Sequence, residues 1–164
     1  MNSWRSLVRC QRGAAAAELV LIMPFLVLLM FGGLELGYYF YSQHQVVKGV
    51  RDGARYASRQ SFESLNCTAG TVPAGIATAI QEVTRTGRVS GGTARVPGWV
   101  NSDIAVTLTC PTTALKTGIY ANESNAPRIN LSASVAYQSL FAGVGVIDST
   151  YTLNATQQAA VMGI

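Results

Sequence analysis

A long apolar stretch dominates the N-terminal quarter of the chain. Residues 19–34 read LVLIMPFLVLLMFGGL, sixteen positions without a charge. With Ala14–Ala17 before it and Gly37–Tyr41 after it, the stretch is long enough to cross about 30 Å of hydrocarbon as a helix. A core helix in a chain this small is rarely apolar on every face. The pattern therefore predicts a transmembrane helix over residues 14–41.

Helical periodicity continues beyond the membrane segment, but on one face only. Val46, Val47, Val50, Ala54 and Ala57 recur at helical spacing, which predicts an amphipathic stem helix over residues 42–60. A second stripe carries the cations Lys48, Arg51, Arg55 and Arg59. This stripe either contacts lipid headgroups or acidic partners, or is simply a solvated face.

The remaining residues, 61–164, predict a small α+β head. Residues 74–86 have one apolar helical face, and Gly87 is a suitable stop. Residues 104–110, 129–138 and 150–156 alternate between apolar and polar side chains, as half-buried antiparallel strands do. The predicted fold class is α+β, with a long N-terminal membrane-spanning helix that continues into a stem and packs on a small antiparallel β-sheet head.

Charge is concentrated at the N-terminus. The chain has 164 residues, 12% of them charged, and a formal net charge of +4. Arg5, Arg9 and Arg12 lie in the first thirteen residues, which contain no acid. Without that segment the charges nearly balance, and no basic face with interleaved aromatic residues remains. The distribution argues against a nucleic-acid partner.

A secretory signal peptide also begins with basic residues followed by an apolar run. Two features disfavour it here. The run is longer than an ordinary signal, and GGLELGYYFYSQ follows it rather than a small-x-small cleavage site. In addition, Glu18 lies at the front of the run, and a carboxylate in hydrocarbon is costly unless it has a partner. Glu18 is therefore a candidate functional residue, although it could instead extend to the cytoplasmic interface.

The residues around Glu18 resemble a known processing site. Arg12-Gly13-Ala14-Ala15-Ala16-Ala17-Glu18-Leu19 is similar to the cleavage site of type IV prepilins, specifically of the TadE-like minor pilins of the tight-adherence (Tad) pilus system. The resemblance continues through Pro24 and GGLELGYYFYSQHQVVKGVRDGARYASR, and covers roughly residues 12–59.

The resemblance implies a role for each residue of that site. Residues 1–13 would be a basic leader that prepilin peptidase removes after Gly13, so that Ala14 becomes the new N-terminus. Glu18 would then be the fifth residue of the mature chain, about 6 Å along the helix from the new amine. Its carboxylate can pair with the amine of a neighbouring subunit and so set the register of assembly.

The resemblance also implies partners and a location. The partners are prepilin peptidase, other pilin and minor pilin subunits, the Tad inner-membrane assembly machinery and membrane lipid. The protein would be a single-pass protein of the bacterial inner membrane, with its N-terminus in the cytoplasm and its head in the periplasm or in the extracellular pilus. Cations flank both ends of the membrane segment, so charge alone does not decide the orientation.

Two further sets of residues are candidates. Gly33 with Gly37, and Gly49 with Gly53, follow the G-x-x-x-G pattern that allows helices to approach closely, although any glycine-rich helix produces such pairs. Cys67 and Cys110 could form a disulfide if the head lies outside the cytoplasm, or could be two unrelated buried thiols.

The sequence predicts no enzyme. Its single histidine, His44, has no second ligand at metal spacing, and no nucleophile elbow or phosphate-binding glycine loop is present. We therefore expect no cofactor and no metal. The leading prediction is a minor pilin or pseudopilin. The alternatives are an uncleaved single-pass protein with a periplasmic scaffolding or binding head, and an exported soluble protein with a cleaved signal.

Overall fold

A computed structural model describes residues 13–111, 117–123, 125–141 and 151–163. Its first element, α1 (Ala14–Ser58), is a single helix of 45 residues and so is about 68 Å long. The apolar stretch and the predicted stem are thus one continuous element. Pro24 lies inside the helix and cannot donate to the carbonyl four residues earlier. The leader residues 1–12 lie outside the described part of the chain.

A second, short helix packs across the stem. This helix, α2, spans Ala74–Thr86, the same residues that the apolar periodicity predicts. It ends at Gly87, whose φ of 80° is readily adopted only by glycine and whose N–H donates to the carbonyl of Val83. Ile80 and Val83 are buried on the inner face of α2, as expected for an amphipathic helix.

Three antiparallel strands form the sheet in the order β1 (Ile104–Thr109), β2 (Arg128–Ala136), β3 (Thr152–Ala160). The side chains of β2 alternate strictly between buried and exposed. The strand β3 continues to Ala160, four residues past the predicted end, because its partners run along β2 as far as Arg128. Tyr151, which the alternation places on the inner face, precedes β3 and is exposed.

The core lies between one face of the stem, the inner face of the sheet and α2. Its largest fully buried side chains are Trp99, Tyr137, Leu65, Ile80, Ile104, Ile129, Leu131 and Leu153. The stem contributes Val46, Val50, Ala54 and Ala57, four of the five residues that the sequence assigns to one face; the fifth, Val47, is only half-buried. The α+β arrangement with a long N-terminal apolar helix is confirmed.

A disulfide joins Cys67, in the connection between the two helices, to Cys110, at the end of β1. The two residues are 43 positions apart in the sequence. Closing a loop of that size removes chain entropy from the unfolded state, worth up to roughly 4 kcal/mol in the loop-entropy treatment.

The end of the chain returns to the end of the stem. The Met162 N–H donates to the Ser58 carbonyl at 2.8 Å, and the Tyr120 hydroxyl donates to the Val161 carbonyl at 2.7 Å. The head is therefore attached to α1 at the helix end, as well as along the packed face.

Candidate functional site

The N-terminal half of α1 exposes apolar side chains on all sides. A window of eighteen residues in this helix has a mean hydropathy of 2.4, and only 6% of that window is buried. Within the described residues, α1 is the one helix long and apolar enough to cross a membrane. Leu21, Phe25 and Leu29 are each about 70% exposed, so no part of the chain that the structure describes covers this surface. One N-terminal apolar helix of this kind fits a single-pass membrane protein.

The candidate processing residues lie at the start of the helix. Gly13 immediately precedes α1, and Ala14 is its first residue. A side chain added at Gly13 would meet nothing within 4 Å, so the backbone there is open to approach. Glu18 lies one turn into the helix and is exposed, and hydrophobic side chains follow it.

A second glutamate in α1, Glu35, has the opposite surroundings and is completely buried. The hydroxyl of Tyr137 donates to its Oε1 atom at 2.7 Å, and the N–H of Leu140 donates to the same oxygen at 3.3 Å. The N–H of Phe141 donates to Oε2 at 3.2 Å. Both carboxylate oxygens thus have partners on the segment that leaves β2, and this cluster is the junction between the membrane helix and the head.

Aromatic rings surround the junction. Phe31, one turn before Glu35, meets the ring of Phe141 edge-on with centroids 4.8 Å apart. Tyr39 meets Tyr137 in the same way at 5.2 Å. Burial, reinforced by the neighbouring Glu35 carboxylate, raises the pKa of Tyr137, so its phenol stays protonated and remains a donor.

The three tyrosines after the apolar stretch do not share one environment. Tyr38 and Tyr39 are half-buried and pack against Tyr137 of the head. Tyr41 is 58% exposed. Of the three, only Tyr41 is thus largely free of the head.

The two glycine pairs also differ. A Cβ atom at Gly53 would clash with the hydroxyl of Thr84, and one at Gly49 would clash with the carbonyl of Thr84 and approach the Trp99 ring to 2.8 Å. This pair allows α2 of the same chain to pack closely on the stem. At Gly33 and Gly37 an added Cβ would meet nothing within 4 Å, so that pair faces open space.

The cationic stripe of the stem is exposed along its whole length. Lys48, Arg51, Arg55 and Arg59 all face away from the core. Among the described residues, the ion pairs within 4.0 Å are Arg85 with Glu82 and Arg95 with Asp52, which involve other cations. His44 is exposed on the same part of the helix. In the described part of the chain, no three metal-ligating side chains come together.

The functional residue that the sequence interpretation missed is Glu35. It follows the apolar run within GGLELGYY, and the physical reasoning that identifies Glu18 applies to it equally, because a carboxylate next to a membrane segment needs a partner. Its partners are more than 100 residues away in the sequence, so no local pattern reveals them.

Comparison with known protein families gives one match. The sequence model of the family described as TadE-like protein matches residues 13–55, which include Gly13, Glu18, Glu35 and most of the stem. No curated protein and no solved structure matches the chain. The match confirms the resemblance seen in the sequence: residues 13–55 of this chain are similar to TadE-like proteins.

Proposed function

We propose that the chain is a minor pilin or pseudopilin that takes part in the assembly of a Tad-type adherence pilus after prepilin peptidase has cleaved it. The observation that carries the proposal is the continuity of the family match, which begins at Gly13 and extends through the apolar helix into the stem. The same residues form one helix whose first half is left uncovered by the head.

An uncovered apolar helix suits a subunit that moves from lipid into a fibre. Before assembly, lipid covers residues 14–34, and after assembly the helices of other subunits cover them. Without a hydrophobic driving force between helices in lipid, close packing of small residues favours association. Gly33 and Gly37, which face open space, are the glycines available for contact with a neighbouring helix.

Glu18 supplies the register in this proposal. Removal of residues 1–13 creates an amine at Ala14, and the exposed carboxylate of Glu18 on one subunit pairs with the amine of the next. Pairing neutralises both charges inside an apolar bundle, where an unpaired charge is strongly unfavourable. The work of the chain is thus assembly and not catalysis.

The proposed location is the inner membrane, with the N-terminus in the cytoplasm and the head in the periplasm until the subunit enters the fibre. The disulfide between Cys67 and Cys110 supports this orientation, because disulfides persist in oxidising compartments outside the cytoplasm. The proposed partners are prepilin peptidase, other pilin subunits and the Tad inner-membrane assembly machinery.

The decisive experiment is mass spectrometry of the protein from the membrane fraction, with and without the peptidase. We expect a chain that begins at Ala14 only when the peptidase is present. In a Gly13→Val variant, a branched side chain at the cleaved bond should block processing. Gly33→Val, the same substitution placed inside α1 and away from the cleaved bond, should leave processing intact.

Two other results would contradict the proposal. A chain that still begins at Met1 in the presence of the peptidase would indicate a static single-pass protein with a scaffolding or binding head. A chain cut after the apolar run would indicate an exported protein without a membrane helix.

A further inference from the structure

The geometry points to a second membrane contact: the segment of residues 138–141 that follows β2 enters the outer leaflet beside α1 and is covered by lipid acyl chains. The inference rests on the crossing of the membrane by α1, which is part of the proposed function. It concerns a part of the head that lies outside the residues of the family match.

The uncovered face of α1 shows where its apolar surface ends. Leu36, Phe40 and Tyr41 are all about half exposed, and the next exposed residues on the helix are His44 and Lys48. The change from apolar to polar therefore falls between residues 41 and 44. Residues 15–41 correspond to about 40 Å of helix, which matches a bilayer that includes its headgroup regions.

The head reaches below that boundary on the opposite face. Among the described residues, the contacts nearest the N-terminus of α1 are those of Leu140 and Phe141 with Glu35, and of Phe141 with Phe31. Glu35 lies about 9 Å below Tyr41 along the helix axis, and Phe31 lies about 15 Å below it. If lipid covers α1 up to Tyr41, the 138–141 segment must lie within the leaflet.

The side chains of the segment suit that position. Leu140 is 54% exposed although the helix surface beside it is apolar. Tyr151, which precedes β3 and accepts a hydrogen bond from the Tyr137 N–H, is 56% exposed. An aromatic residue with a hydroxyl is typical of the membrane interface, and an aliphatic residue of the layer beneath it. Leu140, whose backbone is bonded to Glu35 of α1, thus adds an exposed apolar side chain beside the uncovered part of the helix, while the polar Gln138 lies at the head end of the segment.

The hydrogen bonds of the junction satisfy a requirement that holds in any protein interior and is strictest at membrane depth. Non-helical backbone at membrane depth is tolerated only where its polar groups have partners within the protein. The N–H groups of Leu140 and Phe141 both donate to Glu35, and the same carboxylate accepts from Tyr137. A buried carboxylate on a helix adjoining the bilayer is thereby satisfied without water.

Spin labelling in vesicles of phosphatidylethanolamine and phosphatidylglycerol tests the inference. The full chain would carry Cys10→Ser, retain the Cys67–Cys110 disulfide, and carry one label at Leu140→Cys. Leu28→Cys in the middle of α1 and Val100→Cys, which is exposed and follows Trp99 where that ring packs on the stem at Gly49, provide references for lipid and water. Collision with oxygen reports lipid, and collision with a water-soluble nickel chelate reports solvent.

We expect the ratio of oxygen to nickel accessibility at position 140 to exceed that at position 100 by at least about fivefold and to approach that at position 28. A label at Tyr151→Cys should give an intermediate ratio. Because both labelled side chains are exposed, neither change removes a core contact, and an unchanged thermal unfolding transition confirms the fold.

Nickel accessibility at position 140 equal to that at position 100 would overturn the inference, since the segment would then face water. Low accessibility to both reagents would also overturn it, because another protein surface would then cover the segment. A water-like result at position 28 would instead contradict the membrane crossing itself, and so the failure of the proposed function can be distinguished from failure of this inference.

Discussion

Two glutamates on the same helix, Glu18 and Glu35, contrast the two halves of the molecule. They lie roughly 25 Å apart along α1. Glu18 is exposed among apolar side chains, whereas Glu35 is fully buried and accepts hydrogen bonds from Tyr137, Leu140 and Phe141. A carboxylate in apolar surroundings needs a partner. For Glu35 the partner is the chain's own head, and for Glu18 we propose that it is another subunit.

The comparison extends from the two carboxylates to the two halves of α1. Residues 15–30 leave their apolar side chains uncovered, while residues 35–58 bury one face against the sheet and α2. The second half is stabilised by contacts within the chain. The first half is completed only by lipid or by other helices, and substitutions in it should change assembly more than the stability of the head.

The largest expected effect follows from Glu18→Ala. Without the carboxylate, the amine at Ala14 would have no partner inside an apolar bundle, an arrangement that costs about 3–5 kcal/mol. We expect the amount of sheared pili to fall by at least about tenfold, while leader processing and the unfolding of the head remain unchanged. Glu18→Asp, which keeps the charge, should retain part of the assembly. Normal piliation in the Glu18→Ala strain would contradict the proposed register.

The corresponding change at the junction, Glu35→Ala, should act on folding. It leaves the Leu140 N–H without its acceptor and removes the charged acceptor of the Phe141 N–H and the Tyr137 hydroxyl, which keep only the Ser139 Oγ and the Glu35 carbonyl. We therefore expect the free energy of unfolding to fall by about 3 kcal/mol. The measurement is denaturant unfolding in mild detergent, followed by near-UV circular dichroism of the aromatic cluster.

Two milder variants and a control refine this prediction. Glu35→Gln keeps one acceptor oxygen and Tyr137→Phe removes one donor, so each should cost about 1–2 kcal/mol. Leu36→Ala, the exposed neighbour, is the control and should have little effect on the head. A Glu35→Ala protein as stable as the Leu36→Ala protein would show that the junction does not hold the head.

A pair of glycine substitutions compares the two halves of the helix directly. Gly53→Val would force side-chain atoms against Thr84, whose hydroxyl is held by the Ile80 carbonyl at 2.7 Å, and against Leu131. We expect a loss of about 3 kcal/mol in the free energy of unfolding. Gly33→Val meets nothing in the chain and should change that free energy by less than about 0.5 kcal/mol. Thermal unfolding of both proteins in detergent gives the comparison, and equal stabilities would contradict it.

The smallest expected effect concerns Glu82, a third carboxylate, which lies in the head. Hydrogen bonds from Arg85 and Asn101 lower its pKa below the ordinary value of 4.5. A lowered pKa in the folded state stabilises the fold above pH 4.5, and this contribution is lost as the pH falls further. Glu82→Gln should reduce stability at pH 7 by about 1 kcal/mol or less and flatten the decline in acid. A pH titration of the unfolding midpoint would detect either result.

The elements with strong periodicity could be predicted from the sequence. Residues 74–86 form α2 within the predicted bounds, because Gly87 ends the helix through its own backbone conformation. The alternation in β2 likewise predicts which of its side chains are buried. The end of β3 could not be predicted in this way. Gln157 and Gln158 interrupt the pattern, and pairing with β2 extends the strand to Ala160.

In the candidate site, too, the features that can be found from the sequence are those carried by neighbouring residues. Gly13, Ala14 and Glu18 could be proposed from the sequence because their signal is contained in a few consecutive residues, and their roles stay predictions. The role of Glu35 could not, since its partners come from the segment after β2, and only the folded chain brings them together. For the same reason the spacing of Gly49 and Gly53 does not reveal that their close contact is with α2 of the same chain.

The head is attached to α1 at two distant places, and this has a mechanical consequence. Near the membrane it is held by the bonds to Glu35, and at the far end by the bond from Met162 to Ser58. A pull along the axis of α1 therefore loads the junction, the packed sheet and the far attachment together in shear. Contacts loaded in parallel share the force. In the proposed fibre, each head should therefore stay bound to its own α1 when the fibre is stretched along its axis.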